Sequence, residues 1–399
     1  MPLNIIHVLD EYTYRGGVEQ YILSAGSLLQ RHGHRNVVVY TVKSTHTIQN
    51  GPWPAYHFRA GSNIAGEVEK ILRRERPDVA YIHHVSSPEL VDALTGLLPS
   101  VAYIHGFAAL CPGLGKYFRR GDVVCERPFS WACAPMNYLR RCSAARDPRT
   151  VNRLISRTAH LRQALLKASS FLVGSKYMAG LLAQNAFPPH KTTILPPHFL
   201  AGDGDLAYSP PDESRTILFA GRLEIEKGFP YLLRALVELP ADVRLLVAGD
   251  GTQSTHYQDL AAELDLGSRV QFLGWLDKTN LSQALNRCAL LVMPSIFPEP
   301  FGKSGIDALT RGRPVVAFDV GGISDWLIDG VTGLLARPSD SSHLAYQINA
   351  LLADSDLREM MGRTGQKFVL EHYASNRHLA VLEKVFQQAC SAWPEDEPA

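Results

Sequence analysis

The sequence predicts an α/β protein made of two doubly wound domains, and three observations predict it. Short apolar runs alternate with amphipathic stretches along both halves of the chain, the pattern of βαβ units in a parallel sheet. Near the middle, a stretch rich in proline, glycine and acidic residues from Leu195 to Pro211 breaks that alternation, as an interdomain linker does. The 399 residues are too many for one ordinary core and suit two domains. Two such domains would face each other across a cleft, with strand C-termini pointing into it.

In order along the first half, residues 4–8 read as a strand, 18–30 as a helix and 36–40 as a strand. Strands recur at 79–82 and 101–104, followed by a basic helix near 151–168 and a short strand at 171–173. This places an N-terminal domain at 1–197 and a linker at 198–214. The second series has strands at 216–220, 243–248, 270–273, 290–293 and 314–318, giving a C-terminal domain at 215–375. The stretch 344–392 is helical by pattern. Its end, 376–399, is a C-terminal helix and tail that could cross back to the N-terminal domain, and 394–399 reads as a frayed acidic end.

A net charge of +1 gives global electrostatics no pull toward nucleic acid or a membrane. No apolar run reaches the roughly 18 residues of a membrane span. The opening Met1–Leu9 has no basic leader or cleavage site and reads as a first strand, so the expectation is a cytoplasmic protein. Cys288 and Cys390 sit in helix-like patterns as small apolar fillers. Cys111, Cys125, Cys133 and Cys142 cluster in one irregular segment without CxxC spacing. Free structural thiols and a metal or disulfide tie are both open for them, though a reducing cytosol argues against disulfides.

Three segments carry chemistry. Arg15-Gly-Gly-Val-Glu19 is the first βα turn. Gly16 and Gly17 let the backbone approach a ligand, and the helix start favours an anion. The turn is not a GxGxxG fingerprint, which removes support for a nicotinamide dehydrogenase. Phe219-Ala-Gly-Arg-Leu-Glu-Ile-Glu-Lys-Gly228 follows a strand, so Gly221, Arg222 and Lys227 sit at its C-terminal end. Two cations there can neutralise a diphosphate as it leaves, and two solvated surface cations are the other reading.

The most informative stretch runs from Ser295 to Phe318. It reads as a strand end, a turn bearing Glu299, a glycine at Gly302, a short helix bearing Asp307, and a second buried strand. Glu299 precedes the helix, so its carboxylate can face a ligand. Asp307 lies about one turn inside and can reach hydroxyls beside phosphates. Free N–H groups point outward at the helix start.

These residues resemble the family-4 retaining glycosyltransferases of the GT-B fold. The marks are Gly16-Gly-Val-Glu19, Gly221-Arg-Leu223 with Glu226-Lys-Gly228, Ala248-Gly-Asp-Gly251, Phe272-Leu-Gly274, the acid-x7-acid element Glu299 to Asp307, and Gly312-Arg-Pro-Val-Val316 followed by Gly321-Gly322. They cover the C-terminal domain well and the N-terminal one thinly. The resemblance implies two Rossmann-like domains, a nucleotide-sugar donor bound mainly by the second and an acceptor bound mainly by the first.

Carried over by position, Arg222 and Lys227 would hold the donor diphosphate and Glu299 the sugar hydroxyls. The backbone from Phe301 through Gly302 and Lys303 to Ser304 would support sugar and phosphates, with Lys303 placed to influence sugar choice. Asp307 would contact the ribose, Leu276 the nucleobase, and Gly251 and Gly221 the same donor pocket. Gly16 and Gly17 would approach the donor phosphate. His105, in Tyr103-Ile-His-Gly-Phe107, would sit near the reacting sugar, so His105, Glu299, Arg222 and Lys227 form the catalytic set. The implied mechanism needs no enzymic nucleophile, no cofactor and no metal. The substrate would be a UDP- or GDP-sugar, and the acceptor a glycan, a lipid-linked chain or a small molecule in polysaccharide or glycoconjugate synthesis.

This chain departs from the family pattern at two acids: Asp307 and Asp325 stand where Glu is usual. Each is one methylene shorter, so a ribose contact from Asp307 could be direct, water-mediated or lost. The segment Cys111–Cys142 carries Phe118, Arg119, Arg120, Phe129, Trp131, Tyr138, Arg140 and Arg141. It could line an acceptor site, touch an anionic lipid face at the inner membrane, or be a solvated loop. Rival activities are a sugar-nucleotide epimerase, a phosphorylase, or an idle sugar-nucleotide-binding protein.

Overall fold

The computed structural model describes residues 1–59, 63–199, 208, 210 and 215–393. The chain divides into two compact units. One holds the described residues of Met1–Lys116, Glu126–Leu200 and Ser375–Ala399; the other holds those of Tyr117–Cys125 and Ala201–Ala374.

The first unit is built on seven strands: β1 (Asn4–Glu11), β2 (Arg35–Val42), β3 (Ala55–His57), β4 (Val79–Ile82), β5 (Ser100–Tyr103), β8 (Ser170–Val173) and β9 (Thr192–Ile194). Their order is β3-β2-β1-β4-β5-β8-β9, and every pairing is parallel. Helices cover a parallel sheet on both faces, so its strands are apolar throughout; β4 and β5 are buried at all four positions. The chain runs outward from β1 to β3 and returns beside β1 as β4, which makes the β1/β4 boundary the point where strand order reverses.

The second unit repeats the scheme with β10 (Thr216–Ala220), β11 (Arg244–Ala248), β12 (Val270–Gly274), β13 (Leu290–Met293), β14 (Val315–Phe318) and β15 (Gly333–Ala336). The order β12-β11-β10-β13-β14-β15 is again all parallel and reverses between β10 and β13. In doubly wound sheets ligands bind outside the strand C-termini at such a reversal.

Three features differ from the sequence expectation. The short strands β6 (Tyr117–Phe118) and β7 (Val123–Val124) form an antiparallel hairpin inside the stretch assigned to the N-terminal domain. The hairpin packs with the second unit instead, because Tyr231 Oη donates to Asp122 at 2.7 Å and Ser339 Oγ donates to the Asp122 carbonyl at 3.3 Å. Cys288 does not lie in a helix; it follows the helix Lys278–Asn286 and is buried before β13. The four-cysteine segment, read as irregular, contains the helix Cys133–Arg140.

The last helix, Ser375–Ser391, packs into the first unit. Leu379, Leu382, Val385, Phe386 and Ala389 join Ile5, Leu9, Tyr81 and Tyr103 in one buried cluster. Most of the expected linker, 198–214, and the expected tail, 394–399, lie outside the described residues. Among the described residues no helix is long and apolar enough to cross a membrane.

Candidate active site

In the second unit the expected residues gather at the β10/β13 reversal. After β10 the chain passes through Gly221 and Arg222 into a 3-10 turn at Ile225–Lys227. The segment after β13 crosses beside it, and the Ile296 N–H donates to the Glu226 carbonyl at 3.0 Å. This brings Lys227 and Glu299 together: Lys227 Nζ lies 2.7 Å from Glu299 Oε1. Ser295 Oγ donates to the same carboxylate oxygen at 2.5 Å, and Nζ also stands 4.8 Å from the centre of the Phe297 ring. Glu299 is only 5% exposed, so removing either partner would strand a buried charge. The expectation that this carboxylate faces a ligand therefore needs amendment, because one of its oxygens is already engaged by Lys227 and Ser295.

What fixes Glu299 is the turn at Gly321-Gly322. Gly321 has φ +62°, and a Cβ there would come 2.5 Å from the Glu299 carbonyl oxygen and 2.6 Å from its nitrogen. The neighbouring Gly322 N–H donates to the Glu299 carbonyl at 2.7 Å. Only glycine permits both the left-handed backbone and this approach.

Beyond Glu299 comes the helix Lys303–Thr310. The helices Pro88–Leu97, Pro148–Leu165 and Lys176–Gln184 are capped by Ser87, Asp147 and Ser175. This one begins at Gly302, φ +91°, with no side-chain cap. The Gly305 N–H turns back to the Gly302 carbonyl at 3.1 Å, and no side chain caps the Lys303 and Ser304 N–H groups before it. The helix entry is pinned by Trp326, fully buried, whose Nε1 donates to the Phe301 carbonyl at 2.6 Å. That engages one backbone group expected to support a donor. The Phe301 ring is buried against Tyr373 at 5.6 Å, so the side chain belongs to the core. Ser304 Oγ contacts Met293 Sδ at 3.7 Å. Asp307 is held one turn back along its own helix by Lys303, whose Nζ lies 2.6 and 2.8 Å from its two carboxylate oxygens.

Around this centre, Arg222 is exposed and has no ion-pair partner among the described residues. Gly251 closes the turn after β11, its N–H bonded to Ser254 Oγ at 2.9 Å. Leu276 follows β12, half-buried.

In the first unit, Gly16 and Gly17 open the helix Gly17–Arg31, again with no side-chain cap. His105 follows β5 and is half-buried. Its Nε2 lies 3.2 Å from His83 Nδ1; His83 Nε2 lies 3.2 Å from His7 Nδ1; His7 Nε2 lies 2.9 Å from Asn36 Oδ1. Burial lowers all three imidazoles, His7 to about 4, His105 to about 3 and His83 well below its ordinary value, because an apolar surrounding disfavours the charged form. Sequence reasoning found His105 and missed His7 and His83. The available signal was a histidine inside the otherwise apolar run Ile5-Ile-His-Val-Leu9. It also missed Trp326 and Ser295, and nothing in the sequence pattern says which groups they reach.

A model of the group described as Glycosyltransferase Family 4 matches residues 15–198, and one described as Glycosyl transferases group 1 matches residues 207–368. An uncharacterized glycosyltransferase of Methanocaldococcus jannaschii is 32% identical over 165 residues, 41% of this chain and 42% of that protein. The alpha-D-kanosaminyltransferase of Streptomyces kanamyceticus is 30% identical over 166 residues, 41% of this chain and 43% of that one. This chain spans less than half the length of these relatives. Among solved structures, Anabaena HepE in complex with UDP-glucose superposes with a TM-score of 0.72 at 19% identity, covering 96% of this chain and 99% of that one. Sucrose-phosphate synthase from Thermosynechococcus elongatus superposes at 0.74, also at 19% identity, over 98% and 100%.

Proposed function

We propose that this chain, which belongs to the family-4 glycosyltransferases of the GT-B fold, transfers a sugar from a nucleotide-diphosphate sugar to a glycan, lipid-linked or small-molecule acceptor with retention of anomeric configuration. The observation that carries the reading is the arrangement at the β10/β13 reversal. An exposed cation, Arg222, and a part-buried Lys227–Glu299 pair precede an uncapped helix start. A diphosphate calls for the cations and the free N–H groups, and a sugar calls for the fixed carboxylate.

In the proposed reaction the bond from the anomeric carbon to the phosphate oxygen breaks, its electrons going to the diphosphate. The acceptor oxygen bonds to the same face, and its proton passes to the departing phosphate. Arg222 and Lys227 offset the charge that develops on that group. Glu299 orients the sugar hydroxyls and His105 the reacting end of the sugar. The reading assigns Asp307 to the ribose, Leu276 to the base, and Gly16 and Gly17 to the phosphate. A UDP-sugar is the favoured donor, supported by the HepE structures with UDP and with UDP-glucose. Exposed Trp131 and Leu139 beside Arg140 and Arg141 support an acceptor that is anionic or carried on an anionic lipid.

A thermal-shift screen over UDP-, GDP- and ADP-sugars tests the reading. A donor at 100 times its Kd adds about 2.7 kcal/mol to stability, and UDP-glucose is expected to raise the midpoint. No shift with any sugar nucleotide would refute it, and an inverted product would refute retention.

A further inference from the structure

The four side chains from His105 to Asn36 form a directional hydrogen-bond chain, and its direction can be worked out from one end. Asn36 Nδ2 donates to the Gly26 carbonyl at 2.9 Å. That fixes the amide orientation, because a flipped Asn36 would set its oxygen against a carbonyl oxygen. Asn36 Oδ1 is thus an acceptor, and His7 Nε2 must carry the hydrogen that it receives at 2.9 Å. A neutral imidazole has one N–H, so His7 Nδ1 is a bare acceptor for His83 Nε2–H. By the same step His83 Nδ1 is bare and accepts from His105 Nε2–H.

His7 and His83 are 0% and 5% exposed, whereas His105 is half-buried and is the one member of the chain that reaches the surface. Burial keeps all three rings neutral at pH 7, and neither His7 nor His83 can carry a second hydrogen without opposing two donors. The rings are also held in place by stacking: His7 on Trp53 at 5.8 Å, and His105 on Tyr103 at 4.1 Å with 12° between planes.

We propose that Asn36, His7 and His83 are positioning residues that lock His105 as its Nε2–H tautomer, so that its bare Nδ1 is a fixed hydrogen-bond acceptor for a hydroxyl of the donor sugar. The last clause rests on the reading that His105 serves the sugar; the tautomer itself does not. A ring free to exchange tautomers would present a donor part of the time and would lose orientation in the transition state.

Long-range 15N spectroscopy of histidine-labelled full-length protein tests it, with His105→Gln assigning the signal and release of UDP from UDP-glucose as the activity probe. The wild type is expected to show His105 as Nε2–H at pH 7. His83→Phe, which keeps a ring and removes both hydrogen bonds, should give a tautomer average and roughly tenfold lower turnover with a donor KM within threefold. Asn36→Leu should do the same. An Nδ1–H tautomer of His105 in the wild type would overturn the relay, as would an unaltered tautomer in His83→Phe, and a doubly protonated His105 would overturn the bare Nδ1. A lost tautomer with unchanged turnover would overturn its link to the sugar. Full turnover in His105→Gln would instead remove the sugar reading beneath that link, while an Nε2–H spectrum would still stand for the relay.

Discussion

Gly321 lies so close to Glu299 that the smallest side chain would touch the backbone of the acid: a Cβ would stand 2.5 Å from its carbonyl oxygen and 2.6 Å from its nitrogen. The contact makes a glycine in one loop the backrest for an acid in another. Gly321→Ala is expected to cost about 2–4 kcal/mol, from left-handed strain together with the clash. It should weaken UDP-glucose binding as well. Urea denaturation and donor titration check the two effects, and wild-type values in both would show that the loops move apart without consequence.

Lys227→Ala should lower turnover by about 10²–10³-fold if the ammonium offsets diphosphate charge. It should also destabilise the fold, since Glu299 then keeps a buried charge with Ser295 as its remaining side-chain partner. Lys227→Ala combined with Glu299→Gln should recover much of the stability and none of the activity. Recovery of activity in the double variant would contradict the assigned role.

Trp326→Phe removes the hydrogen bond to the Phe301 carbonyl and keeps most of the packing. An orphaned buried carbonyl costs about 1–3 kcal/mol. Because that carbonyl sits one residue before the uncapped helix start, the donor KM should rise more than kcat falls. The reverse split would move Trp326 out of donor positioning.

Stability should fall steeply with acid. His7 and His378 are both lowered to about 4 by burial, below the ordinary 6.5 of the unfolded chain. As pH falls from 6.5 toward 4 the unfolded state takes up these protons first, so stability present at neutral pH is lost. Each contributes about 2 kcal/mol of loss between pH 7 and pH 5. Urea midpoints across that range read it directly, and a flat profile would mean the rings are hydrated rather than buried.

Periodicity and punctuation made most of the architecture legible. Both parallel sheets follow from apolar runs separated by helical stretches, because strands buried on two faces leave no polar alternation to blur them. The short strands Ala55–His57, Thr192–Ile194 and Gly333–Ala336 left too few residues for a period. The hairpin Tyr117–Val124 was placed with the wrong unit because its attachment is through Asp122 to Tyr231 and Ser339, contacts of long sequence separation. Motif spacing located Lys227, Glu299 and Asp307. It could not show that Lys227 and Glu299 bond to each other, or that Lys303 holds Asp307. His105 was found at its strand end, yet the buried histidines behind it came from strands whose adjacency only the fold supplies.

The helix Ser375–Ser391 has a consequence for how this chain can be divided. Because Leu382 and Phe386 fill the same core as Ile5 and Tyr81, the first unit is not encoded by any one contiguous stretch of sequence. A fragment ending before the second unit would lack part of its own interior and expose the surface which that helix covers. The second unit's main stretch, in turn, begins and ends inside the partner's sequence, like an inserted cassette. Gene fusions and split-protein reassembly should therefore succeed only where the final helix travels with the opening strands.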